Sequence, residues 1–99
     1  MLGLPRDPRL NTISDMDHRD RFSVNLRQAR QAAGISQEEL AERCEIHRTE
    51  VSLLERGGRE PRLGTMVKLA TALGTTPEAL CSGIAWNPQA REFKVADPN

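Results

Sequence analysis

With 99 residues and only three aromatic side chains, the chain has room for one small domain with an aliphatic core, which favours helices. Its 14 Lys and Arg residues balance its 14 Asp and Glu residues, so binding of an anionic partner would depend on local clustering of basic groups. Two cysteines are too few for a zinc site or a disulfide scaffold. No apolar run approaches the about 20 residues that span a bilayer. We therefore expect a cytoplasmic protein without metal, cofactor or membrane partner.

The chain opens with a segment that lacks a hydrophobic period. Residues 1–17 combine two prolines and a glycine with scattered charges, a composition that is typical of a flexible arm. A first helix is predicted from about Asp20 to Ala33, followed by Gly34 at the position where glycine commonly ends a helix. Its apolar residues recur at helical spacing and are Phe22, Leu26, Ala29 and Ala33.

The stretch from Ser36 to Gly57 predicts two short helices joined by a tight turn. Ser36, followed three residues later by Glu39, forms a capping box, which is the signature of a helix start. The apolar pattern breaks at residues 45–47 and then resumes at helical spacing. Gly57 stands where glycine is preferred just past a helix end.

The second of these helices carries a polar surface. At about 100° per residue, Val51, Leu54 and Glu55 share the side that must pack. The other side carries Arg48, Thr49, Ser52, Leu53 and Arg56. Arginine can bind guanine, hydroxyls pair with most base edges, and an apolar group can contact a thymine methyl. For a lone helix, a polar face that contacts only water would be the simpler interpretation. The partner helix and the turn instead favour a helix that contacts DNA bases.

Two further helices and a tail complete the chain. A fourth helix is predicted from Leu63 to Gly74, and Thr76 begins a short fifth helix that extends to about Ser82 with Leu80 facing inward. After it the apolar residues alternate with a period of two, which predicts a short extended segment or a β-hairpin. These alternating residues are Ile84, Trp86, Phe93 and Val95.

The paired helices resemble the helix-turn-helix of the lambda-repressor/Cro-like family, whose members are also called Xre-type regulators. The resemblance rests on Gln37, Ala41, Val51-Ser52, Leu54-Glu55 and Gly57, and it extends from about Phe22 to Gly83. It implies an all-α domain of five helices over residues 18–83, between the N-terminal arm and a C-terminal extension, residues 84–99.

The resemblance implies a sequence-specific DNA-binding transcriptional regulator that binds a palindromic operator as a homodimer, with its second motif helix in the major groove. Base contacts are expected from Arg48, Thr49, Ser52 and Leu53. Phosphate contacts are expected from Gln37, His47, Arg56, Arg59 and Arg62. An arginine at the position of Arg30 pairs with the glutamate matching Glu55 in this family, and we expect the same structural ion pair here.

The C-terminal extension is expected to take part in the homodimer. Its aromatic side chains need a cover, which either the last helix of the same subunit or the partner subunit would provide. We favour the partner, because the family dimerises near its C-terminal helix. The predicted interface comprises Trp86, Phe93, Leu80 and Ile84.

Two positions depart from the family pattern. Glu45 lies in the turn at a position where the family commonly has glycine, because φ tends to be positive there; a residue with a side chain then costs about 1 kcal/mol. Leu53 occupies an outward position that is usually polar in relatives. Leucine cannot form hydrogen bonds, so it either contacts thymine methyls or reads no base.

Three alternative functions compete with this one. An antitoxin, which represses its own promoter and binds a toxin, would have the same motif, and an exposed Trp86 would suit a protein partner such as a toxin or another regulator. A protein-interaction module that does not bind DNA would present an apolar or acidic surface, whereas arginines and hydroxyls predominate here. Catalysis is not expected, because no nucleophile, base and orienting group converge near His18 or His47.

Overall fold

Five helices and a two-stranded hairpin follow one another in the computed structural model, which describes residues 15–98. The elements are α1 (His18–Ala33), α2 (Gln37–Cys44), α3 (Arg48–Glu55), α4 (Leu63–Ala72), α5 (Pro77–Leu80), β1 (Ile84–Asn87) and β2 (Glu92–Val95). The predicted helical fold with a C-terminal hairpin is confirmed. Helix α1 begins earlier than predicted because the Asp17 carboxylate accepts a hydrogen bond from the Arg19 N–H and caps it. Most of the predicted N-terminal arm, residues 1–14, lies outside the described residues.

The core between the helices is aliphatic, as the composition predicts. Its largest fully buried side chains are Leu26, Leu40, Cys44, Val51, Leu54, Leu69 and Leu80. Burial raises the pKa of the Cys44 thiol, so this cysteine is an apolar packing group rather than a reactive thiolate. Among residues 15–98, no helix has the length and apolar character needed to cross a membrane.

Helices α2 and α3 form the predicted helix-turn-helix. The Ser36 hydroxyl accepts from the Glu39 N–H over 3.0 Å and begins α2. The Glu39 carboxylate accepts from Arg43 Nη2 instead, so the second half of the predicted capping box does not form. Glu45 ends α2 in the left-handed conformation, with φ 54° and ψ 44°, which confirms the positive φ expected at this position. The N–H of the next residue, Ile46, donates to the Ala41 carbonyl over 3.0 Å, a closing bond that is typical of such a helix end.

A buried ion pair fixes α3 to α1. Arg30 Nε and Nη2 donate to the two carboxylate oxygens of Glu55 over 2.6 and 3.0 Å, so the predicted pair is present and bidentate. The hydrogen bonds that Arg30 donates to this carboxylate raise the pKa of its guanidinium. Glu55 is only 3% exposed, and Gln37 of α2 adds a third hydrogen bond to its carboxylate over 3.0 Å. Arg27 Nη1 donates to the Glu55 backbone carbonyl over 2.9 Å, so three helices meet at one residue.

The C-terminal hairpin folds back on α1 of its own subunit. The two strands are antiparallel, with Ile84 opposite Val95 and Trp86 opposite Phe93. Val95 and the following Ala96 are buried, and Ile84 packs against the helical core. The end of the hairpin next to the helices is therefore part of the same core.

A polar clamp from α1 holds the approach to this hairpin. The Asn25 amide nitrogen donates to the carbonyls of Leu80 and Ser82 over 2.9 and 2.8 Å, and Arg21 Nη1 donates to the Asn25 side-chain oxygen. Gly83 has φ 86°, and a Cβ added to it would lie 2.6 Å from Arg21 Nε. The backbone conformation therefore favours glycine here, and a larger residue would also force the guanidinium to move.

We predict that Arg30→Met destabilises the fold strongly, because it leaves the buried Glu55 carboxylate without its cationic partner. The expected loss is about 3 kcal/mol or more, measured as the free energy of unfolding in urea. The matched control is Arg43→Met, which breaks the exposed i,i+4 pair with Glu39 and should cost less than about 1 kcal/mol. Equal losses in the two variants would contradict the structural role of the buried pair.

We predict that Glu45→Gly stabilises the protein or leaves its stability unchanged, because glycine relieves left-handed strain of about 1 kcal/mol while adding freedom to the unfolded chain. The melting temperature provides the measurement. The control is a change in the opposite direction, Gly34→Ala: Gly34 has φ 72° and open space around it, so the added methyl meets no neighbour and left-handed strain should lower the melting temperature. A lower melting temperature for Glu45→Gly would show that the turn has another conformation.

Candidate nucleic-acid interface

The outer surface of α3 is polar and accessible. Val51, Leu54 and Glu55 are buried against the neighbouring helices, as predicted from their spacing. The exposed residues of the segment are Arg48, Thr49 and Arg56, and the half-buried ones are Glu50, Ser52 and Leu53. Since α3 is anchored through its inner side, the outer side is presented in a defined orientation.

Arg48 begins α3 and is exposed to solvent. Its guanidinium forms no hydrogen bond or ion pair within the described residues, whereas several other arginines of the molecule are engaged by carboxylates. Arg48 borders a shallow cleft next to Gln37 and Ser36 at the start of α2. An unengaged guanidinium at the first residue of an anchored helix has the donors that recognise the guanine edge in the major groove.

The side chain of Leu53 supports the loop after α3. The Gly58 N–H donates to the Leu53 carbonyl over 2.9 Å, and the half-buried leucine side chain lies next to this glycine, where an added Cβ would be 3.3 Å from Cδ2. This packing explains why an apolar residue is accepted at an outward position. Its contact with a thymine methyl, like the base contacts of Thr49 and Ser52, stays a prediction.

His47 caps α3 rather than standing free in the turn. Its Nδ1 accepts a hydrogen bond from the Thr49 N–H over 3.1 Å, which assigns the ring proton of the neutral side chain to Nε2. The ring is exposed, so this N–H can serve as a phosphate donor. Gln37 differs, since its amide nitrogen already donates to Glu55 and the side chain is half-buried. For both residues the phosphate contact stays a prediction.

The loop that follows α3 brings the other basic side chains to the same region. Arg59 Nη1 donates to Glu50 Oε1 of α3 over 2.6 Å, a pair that the sequence did not predict. Arg56 Nε donates to the Ser52 carbonyl over 3.3 Å, and Arg62 precedes α4 without capping it through its side chain. The three loop arginines are exposed and therefore accessible to a polyanion.

The predicted dimer residues divide into two kinds. Leu80 is 1% exposed and fills the core of its own subunit, and Ile84 packs against that core. We therefore remove Leu80 from the predicted interface, because its side chain is already covered. Trp86 and Phe93 remain 52% and 43% exposed at the outer end of the hairpin.

The sequence alone did not predict two contacts that connect α1 to α3 and to the loop after it. Arg27 of α1 donates to the Glu55 carbonyl, and its spacing of three from Arg30 was the available signal for this contact. The contact between His18 Nε2 and Glu60 Oε2, at 2.5 Å, joins α1 to the loop after α3. No local pattern indicates a contact between residues 42 positions apart.

Comparison with known proteins identifies the family. The model of the helix-turn-helix family HTH_3 matches residues 26–80. The control protein C.BamHI from Bacillus amyloliquefaciens is 42% identical over 60% of this chain and 74% of that protein. The crystal structure of the restriction-modification controller protein C.AhdI from Aeromonas hydrophila is 42% identical, with a TM-score of 0.61 over 63% of this chain and 94% of that chain.

A second solved structure extends the likeness beyond the helices. The hypothetical transcription factor NHTF from Neisseria is 36% identical, with a TM-score of 0.64, and the match covers 92% of this chain and 95% of that chain. The family match, the five helices and the α2–α3 geometry agree with one another. The chain belongs to the HTH_3 family of Xre-type helix-turn-helix transcriptional regulators.

Proposed function

We propose that this protein binds a palindromic DNA operator as a homodimer and regulates transcription from it, acting by binding and not by catalysis. Helix α3 enters the major groove, Arg48 contacts a base, and the loop arginines contact phosphates. The observation that carries the proposal is an anchored helix that begins with Arg48, an exposed arginine without a hydrogen-bond or ion-pair partner among residues 15–98. A dimer would place two such helices about one helical turn of DNA apart.

We further propose that the regulated genes belong to a restriction-modification system. C.BamHI and C.AhdI, both 42% identical to this chain, are named as control proteins, and C.AhdI as a restriction-modification controller. These likenesses favour a controller over an antitoxin, because the exposed Trp86 suits a toxin and a second subunit equally and does not distinguish the two functions. Chromatin immunoprecipitation with the full chain should enrich promoters beside restriction or methyltransferase genes, whereas enrichment beside a toxin gene would support the antitoxin function.

The aromatic end of the hairpin is the surface that best suits a second subunit. Trp86 and Phe93 form an edge-to-face pair, with ring centroids 5.1 Å apart, and Phe93 also stacks on His18 at 4.0 Å. The inner side of this cluster is thus fixed to α1, while the indole stays half-exposed. Rigid aromatic side chains of this kind are typical anchors of protein interfaces.

We predict that Arg48→Ala weakens binding to the preferred operator by about 1–3 kcal/mol and relaxes the base preference at one position of each half-site. The operator is first selected from a random duplex pool with the wild-type protein, and the selection is repeated with the variant. Lys68→Ala, which removes one positive charge from an exposed site of α4, is the control and should preserve the selected sequence. An unchanged sequence preference for Arg48→Ala would contradict base contact by this residue.

We predict that Trp86→Ser weakens dimerisation by about tenfold or more while the helical signal in circular dichroism is kept. A point change is preferable to truncation after Gly83, because truncation would also remove the buried Val95 and Ala96. Leu63→Ser, at an exposed apolar site of α4, is the matched control. Sedimentation that shows equally tight dimers for wild type and Trp86→Ser would exclude Trp86 as an anchor.

A further inference from the structure

An ion pair connects the proposed recognition helix to the loop that follows it. Arg59 Nη1 lies 2.6 Å from Glu50 Oε1, and the two side chains are 53% and 23% exposed. The residues are nine positions apart, so this is not the pair that neighbouring turns of one helix form. The loop folds back so that both charges line one cleft at the edge of α3, together with Arg62 and Thr65.

Glu50 brings a negative charge to the edge of the surface that is proposed to meet DNA. It is the third residue of α3, beside the outward Thr49 and on the side of the helix that the loop covers. A carboxylate near the DNA backbone is repelled by the phosphates. While Arg59 remains bound to Glu50 this repulsion is reduced, but the same guanidinium is then withheld from the phosphates.

The Arg59 guanidinium therefore already has a carboxylate acceptor in its own chain, and a DNA phosphate would compete with that carboxylate for it. The other carboxylate of the cleft, Glu60, is directed to His18, with 2.5 Å between Oε2 and Nε2. Within residues 15–98, Arg56 is bound to a backbone carbonyl instead of a carboxylate. Competition of this kind therefore concerns Arg59 and its partner Glu50 in particular.

We propose that Glu50 is a specificity-determining residue, which withholds Arg59 from the phosphates of non-specific DNA and releases it where a cytosine amino group donates to the Glu50 carboxylate. Cytosine N4 is the major-groove donor that glutamate recognises. At such a base pair the carboxylate regains a hydrogen bond when Arg59 leaves. At other base pairs the released carboxylate faces the DNA without a donor, so the exchange is unfavourable.

The consequence is that Glu50 lowers affinity for DNA in general more than it lowers affinity for the operator. A phosphate contact by one arginine releases about one counterion and is worth about fivefold in affinity at about 0.15 M salt. Operator DNA would gain this contact and non-specific DNA would not. This inference rests on the proposed function, since it assigns a source of specificity to the same interface.

The decisive variant is Glu50→Gln, which keeps the shape of the side chain and removes its charge. Binding to the selected operator and to a scrambled duplex is measured across a series of salt concentrations. We expect the scrambled duplex to bind about fivefold tighter, with a salt dependence that is steeper by about one counterion, and the operator to change less. Repeated selection should shift one position from cytosine towards adenine, which glutamine recognises.

Two further variants make the test specific. Glu39→Gln is the matched control, because Glu39 is the third residue of another eight-residue helix, α2, and also pairs with an arginine, Arg43, at 2.5 Å. It should leave the ratio of the two affinities unchanged. In an Arg59→Ala background, Glu50→Gln should no longer steepen the salt dependence, because the shared guanidinium is absent.

Equal tightening on both duplexes, or the same steepening in the Arg59→Ala background, would overturn the role of Glu50. Such a result would leave the proposed function intact, because the wild-type protein would still prefer its selected operator. Wild-type protein that enriches no sequence and binds duplexes without salt dependence would overturn both. The wild-type measurements therefore test the proposed function. The ratio of the operator affinity to the scrambled-duplex affinity, compared between variants, tests the exchange of Arg59 between Glu50 and a phosphate.

Discussion

The geometry of the interface depends on one buried carboxylate. Glu55 lies at the end of α3, where Arg30, Arg27 and Gln37 all donate to its side chain or backbone. Helix α3 has only eight residues, too few for a stable helix in isolation, so its orientation must come from such tertiary contacts. The carboxylate requires its partners because a buried charge without hydrogen bonds is costly. The same hydrogen bonds that stabilise the core therefore also fix the orientation of the outer surface of α3.

Two left-handed positions set the path of the chain on either side of α3. Glu45 turns the chain between the motif helices at the cost of a side chain in a conformation that favours glycine. Gly57 adopts φ 73° after α3, and an added Cβ there would clash with Asp20 of α1. The loop arginines consequently return along the edge of α3 rather than leading away from it. A chain with no net charge can in this way collect basic groups on one surface.

The C-terminal hairpin contributes both to the core and to the exposed surface of the protein. Its inner end completes the core through Val95, whereas its outer end holds Trp86 half-exposed beside Phe93. His18 stacks on Phe93 and also contacts Glu60 in the loop after α3. A short series of contacts therefore leads from the proposed dimer surface to the proposed DNA surface. The C-terminal strands belong to the same packed unit as the helices.

The sequence by itself determined the helices and the Ser36 cap of α2, because spacing and residue type encode local structure. The resemblance to the family supplied the αL turn at Glu45 and the pairing of Arg30 with Glu55. The change to a period of two likewise predicted the strands. Leu80 was expected both to face inward and to lie at the dimer interface, and only the tertiary structure decided for the interior of its own subunit. Only the tertiary structure likewise showed that Leu53 lies next to Gly58 and that Arg59 returns to Glu50. These outcomes depend on how loops and helices are brought together through space. Spacing along the chain reports which face of a helix is apolar, but it does not report which side chain from elsewhere will meet it.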